Sequence, residues 1–107
     1  MRKILTTDCD AHSACHRIEE ILINDFGASA RQANATFCSN AECYFETTVI
    51  FDGDNHSIKI SSMGLRRIWI EIEAGEEISE KILNEIIKTY ISKPSASGYF
   101  HDLNIEP

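Results

Sequence analysis

Positive charge is scarce in this chain: 10 Lys and Arg stand against 17 Asp and Glu, a formal net charge of −7 with the histidines neutral. A surface that binds nucleic-acid phosphates needs Lys and Arg to release counterions, so no nucleic-acid partner is expected. Docking on an anionic membrane is disfavoured for the same reason. Long apolar runs are missing too. After Arg2-Lys3 only Ile4 and Leu5 precede polar residues, short of the roughly 7–15 apolar residues of a signal peptide. No run approaches the roughly 20 residues of a membrane span, and the expected location is the cytoplasm. The five glycines are isolated, each at a turn or helix end, so no phosphate-cradling loop exists.

What is present suits a globular domain. Hydrophobic residues make up 43% and charged residues 25% of 107 residues, enough for one core and too little for two. The first element is a helix from about Ala11 to Phe26, with Asp8 or Asp10 as N-cap and Gly27 as the left-handed stop. Ala14, Cys15, Ile18, Ile21, Leu22 and Phe26 recur on one face, which Asp25 shares, with His12, His16, Arg17, Glu19 and Glu20 opposite. Residues 28–40 carry no clear period and fit a short helix or a loop.

From Glu42 the period becomes two. Cys43, Phe45, Thr47, Val49 and Phe51 alternate with Tyr44, Glu46, Thr48 and Ile50, and Asp52-Gly53-Asp54-Asn55 reads as a hairpin turn. The chain returns through His56–Ser62, turns at Met63-Gly64, and enters the sharpest strand signal. There Ile68, Ile70 and Ile72 alternate with Arg67, Trp69, Glu71 and Glu73. A second helix is expected from about Glu80 to Ser92, capped by Ser79 and stapled by Ile78 on Leu83. Its apolar face is Ile82, Leu83, Ile86, Ile87, Tyr90 and Ile91. At about 1.5–3 kcal/mol for each large side chain, that face must dock to offset the helix's ordering cost. Pro94 ends it, residues 94–98 form a flexible link, and Tyr99–Leu103 is expected to pack back as a short strand or turn. The reading is an α+β two-layer sandwich: an N-terminal helix, a three-stranded antiparallel meander and a C-terminal helix.

Candidate chemistry is thin. Cys9, His12, Cys15 and His16, with Cys38 and Cys43 downstream, are zinc-type donors, and Cys9, His12 and His16 would share one sector of a helix. No C-x-x-C knuckle accompanies them, and Cys15 falls on the apolar face, so the cysteines read as thiols and no metal or other cofactor is expected. Cys9 between Asp8 and Asp10 is a poor nucleophile, because neighbouring carboxylates raise a thiol's pKa. His101-Asp102 are neighbours only in sequence, and His56 beside a turn reads as solvated. Asp52-x-Asp54 opens like a calcium loop but lacks the distal glutamate.

The surface remains. Glu71, Glu73, Glu76, Glu77, Glu80 and Glu85 accompany a lone Lys81, and Trp69 is expected on the outward strand face ringed by carboxylates. Those near the helix start also complement its dipole, and Tyr99 or Phe100 would be the side chains to cover Trp69. The expectation is therefore a non-enzymatic inhibitor of the immunity or antitoxin kind. It would hold a basic toxin, a nuclease above all, through Trp69, Glu71, Glu73, Glu76 and Glu77, as a monomer or weak dimer. The alternatives are a phage-type inhibitor of a host defence nuclease, a small metal-binding enzyme or regulator using Cys9, His12 and His16, and a module that dimerises through a strand edge.

Overall fold

The computed structural model describes residues 1–27, 29–30, 35–39, 42–51, 56–95 and 97–107; of 29–30, 35–39, 42–51 and 56 it describes the backbone alone. The elements run β1 (Arg2–Thr7), α1 (Ala11–Phe26), β2 (Ser29–Ala30), β3 (Ala35–Ser39), β4 (Glu42–Phe51), β5 (His56–Met63), β6 (Arg67–Glu73), α2 (Glu76–Ser92) and β7 (Leu103–Ile105). The strands form one antiparallel sheet in the order β2-β4-β5-β6-β1-β7, with β3 also paired to β4. The class is α+β, as the patterning requires.

Helix α1 begins and ends where its signals stand. The Asp10 carboxylate accepts from the Ser13 backbone N–H at 3.0 Å, satisfying one of the four donors a helix start leaves unpaired. Gly27 closes it at φ 71°, its N–H donating to the Leu22 carbonyl, a backbone state that costs glycine nothing. Ala11, Ala14, Cys15, Ile18, Ile21 and Leu22 are buried.

Helix α2 departs from its expected start. It opens one turn earlier, at Glu76, with Gly75 as N-cap and no side-chain capping bond. Ser79 is not the cap: it is fully buried inside the first turns, and its hydroxyl donates to the Ala74 carbonyl at 3.3 Å. Glu76 and Glu77 in the first turn supply the negative charge that the positive helix end favours. That extends the helix past a weak cap. Ile78 is half-exposed and so a poor staple.

Arg17 is the second departure. Placed by periodicity on the polar side of α1, it instead reaches α2, donating to the carbonyls of Tyr90, at 2.8 Å, and of Lys93. Its guanidinium also lies over the Tyr90 ring, 4.2 Å from the centroid. Helix α2 has no basic residue of its own in its last turn, so a neighbouring helix supplies the cation. Lys93 returns the contact through Asp25 at 2.7 Å.

The meander β4-β5-β6 forms the middle of the sheet. Phe51 pairs with His56, so the backbone folds back as a hairpin there; the turn residues 52–55 lie outside the described residues. Ile58, Ile60, Ile68, Ile70 and Ile72 are all fully buried against the helices. Register sets Thr47 opposite Ile60 and Val49 opposite Ile58.

Two strands enlarge the expected meander on the β6 side. β1 pairs along β6, with Leu5 opposite Ile68 and Arg2 opposite Glu71. The Met1 ammonium and carbonyl both bond to Ile72 at 2.8 Å. β7 then adds to the far side of β1, burying Leu103; the expected return of Tyr99–Leu103 is met only at its last residue, since Tyr99 and Phe100 stay exposed. On the opposite edge, β2 and β3 both pair with β4, so the described parts of 28–40 are strand, not helix.

Candidate functional site

Alternation on β6 turns Arg67, Trp69, Glu71 and Glu73 away from the helices. What surrounds them is decided by register. Trp69 stands between Ile4 of β1 and Ser61 of β5, and Glu71 between Arg2 and Lys59. The Arg2 guanidinium lies 5.6 Å from the Trp69 ring centroid and 3.5 Å from the Glu71 carboxylate. Arg2, Lys59, Ser61, Trp69 and Glu71 line a shallow depression of about 180 Å³.

Among the described residues Trp69 is therefore not ringed by carboxylates. It is 38% exposed on a face of mixed charge, with a cation against its ring. Tyr99 and Phe100, the side chains expected to cover it, are themselves well exposed. Arg2 is the residue that sequence reasoning missed at this face. No local pattern marks it, because the pairing of β1 with β6 is what brings Arg2 to this face.

The expected carboxylates divide between two settings. Glu71 is engaged by Arg2, and Glu73 accepts a bond from the Ser57 hydroxyl at 3.2 Å. Glu76 and Glu77 belong to the helical layer, exposed in the first turn of α2, followed by exposed Glu80 and Glu85. Among the described residues no ion pair engages Glu76, Glu77, Glu80 or Glu85. Among the described residues the carboxylates outside any ion pair thus run from Glu73 at the end of β6 along α2, beside and not around Trp69.

The thiols and imidazoles also fall differently from expectation. Cys9 precedes the N-cap Asp10 and so is not on α1, which takes it out of the helical sector of His12 and His16. Its Sγ lies 3.2 Å from the Thr7 hydroxyl and 3.3 Å from the Tyr90 hydroxyl. Burial, with the Cys9 bond, pushes the Tyr90 phenol up to about 12. His12 and His16 meet edge to face, centroids 4.9 Å apart. Cys15 is fully buried; burial first, then the Asp10 and Glu19 charges, push its thiol up to about 12. Such a thiol is inert as a nucleophile at neutral pH. Cys38 and Cys43 are register partners across β3 and β4.

A different grouping appears where β1 ends. His101, carried by the tail before β7, places Nδ1 3.3 Å from an Asp8 carboxylate oxygen. That same oxygen accepts from the Asp102 backbone N–H at 3.1 Å. With the Cys9 sulfur, one donor atom from each of Asp8, Cys9 and His101 falls within 4.8 Å of the others. No helix among the described residues is long and apolar enough to cross a membrane. No family model, curated protein or solved structure matches this chain.

Proposed function

We propose that this protein is a cytoplasmic inhibitor of the immunity or antitoxin kind, binding and neutralising a basic toxin such as a nuclease. The observation that carries this reading is the corner where Glu73 ends β6 and Glu76, Glu77, Glu80 and Glu85 follow on the exposed side of α2. A nuclease presents a cationic cleft for phosphates, and a compact carboxylate surface complements it without any bond-making side chain. Charge complementarity steers the encounter, while a rigid aromatic such as Trp69 supplies the apolar anchor at the margin. Arg2 beside Trp69 sharpens the reading: a cationic partner is repelled there, so its basic residues belong against Glu73, Glu76 and Glu77.

The test is capture and inhibition of a basic nuclease-toxin domain by the purified chain across a salt series. Affinity is expected to fall steeply with salt. Glu76→Lys with Glu77→Lys, or Glu71→Lys with Glu73→Lys, should weaken it by at least about a hundredfold, and Trp69→Ala by about thirtyfold. Arg2→Ala should tighten it. Capture that ignores both salt and these carboxylates would refute the reading.

A further inference from the structure

We propose that Asp8, Cys9 and His101 form a binding site for a zinc-type divalent cation, closed by three protein donors with a water in the fourth position. The grouping is not a local accident of sequence. Asp8 and Cys9 follow β1 directly, while His101 arrives from the opposite end of the chain, brought there by the pairing of β7 with β1. Sheet topology therefore holds the donors together.

Their chemistry selects the metal class. A thiolate is a soft ligand, an imidazole a borderline one and a carboxylate a hard one. This mixture suits Zn²⁺ and not Ca²⁺ or Mg²⁺, which require an oxygen shell. The spacing agrees as well. With Zn–N and Zn–O near 2.0 Å and Zn–S near 2.3 Å, the edges of a tetrahedral site are roughly 3.3–3.5 Å. The Asp8 oxygen and His101 Nδ1 are already 3.3 Å apart, and the Cys9 sulfur lies within 4.8 Å of both.

Outer contacts complete the arrangement. The Thr7 and Tyr90 hydroxyls lie 3.2 Å and 3.3 Å from the Cys9 sulfur, where each can donate to a thiolate. The Asp102 N–H orients the Asp8 carboxylate. Supporting bonds of this kind fix the donors of a metal site and tune their basicity. Among the described residues the grouping excludes His12 and His16, so it differs from the cluster that the sequence suggests.

Zinc binding to the untagged, reduced chain decides the matter, by titration calorimetry and by elemental analysis after dialysis. Cobalt substitution adds a spectrum in which a thiolate ligand announces itself by charge transfer. One Zn²⁺ per chain is expected, with a sulfur-to-cobalt band that Cys9→Ser abolishes. His101→Gln and Asp8→Asn should each weaken binding at least roughly tenfold, and both lie at exposed or half-exposed positions that leave the core intact. The double variant His12→Gln with His16→Gln should bind as the parent does. No stoichiometric zinc in the parent overturns the proposal. So does binding that survives His101→Gln and is lost in the His12, His16 double variant.

Discussion

The two faces of β6 are built from the same seven residues and held together by different physics. On the inner face Ile68, Ile70 and Ile72 are fully buried. On the outer face Arg67 forms a forked pair with Glu106 at 3.0 and 3.1 Å, Trp69 lies under Arg2, and Glu73 takes the Ser57 hydroxyl. Hydrocarbon contact is non-directional, so any well-fitting apolar neighbour serves the inner face. Each outer partner is a particular atom at a particular register position, delivered by β1, β5 or the residue after β7. One face depends on how much is buried, the other on which strand lies alongside.

The inner face is where the contrast breaks most easily. Ile70→Ala removes buried methylene groups from the central layer and leaves a cavity between sheet and helices. A loss of about 2–5 kcal/mol is expected in urea unfolding. Glu73→Ala, three positions along on the outer face, should stay within about 0.5 kcal/mol. Comparable losses from the two would mean that the outer side is a second core.

A smaller effect comes from the same interior through Cys15. The folded chain holds this thiol's proton up to about 12, against an ordinary value of 9.0. The folded state thus keeps a proton that the unfolded state releases. The resulting stability is fully present below pH 9 and is lost as pH rises from about 9 toward 12, at up to about 1.4 kcal/mol per pH unit. Tyr90, raised from 10.0 to about 12, adds its own decline above pH 10. Urea midpoints between pH 8.5 and 9.5 are therefore weighted toward the thiol. Cys15→Ala should flatten the decline in that interval, and an unchanged slope would show that another group is responsible.

The same distinction explains what could be read from the amino acids. Helix α1 was legible from both ends because Asp10 and Gly27 act on their immediate neighbours, and the meander because its isoleucines alternate within single strands. β1 was not: Arg2, Lys3, Thr6 and Thr7 offer too little apolar content, and only its place between β6 and β7 makes Leu5 a core residue. The error at Ser79 arose where a good cap residue is outweighed by an earlier turn carrying Glu76 and Glu77 at the positive helix end. At the candidate sites local pattern placed Trp69 outward correctly, and nothing local could announce Arg2 beside it. The approach of His101 to Asp8 spans nearly the whole chain and is invisible to any windowed reading.

The faintest expected effect probes the outer face most directly. Arg2 is two-thirds exposed at its side chain, and its pair with Glu71 is open to solvent and salt. A double-mutant cycle of Arg2→Ala and Glu71→Gln should give a coupling below about 1 kcal/mol that shrinks in high salt. The contact with Trp69 adds at most about 0.5–1 kcal/mol at such an exposed position. Arg2→Ala should nevertheless alter Trp69 fluorescence, because the ring loses its cation and gains water. Coupling well above 1 kcal/mol would make Arg2 a structural clasp between β1 and β6. A near-zero value with a clear fluorescence change would leave it what its exposure suggests: a movable cover on the tryptophan, displaced at little cost.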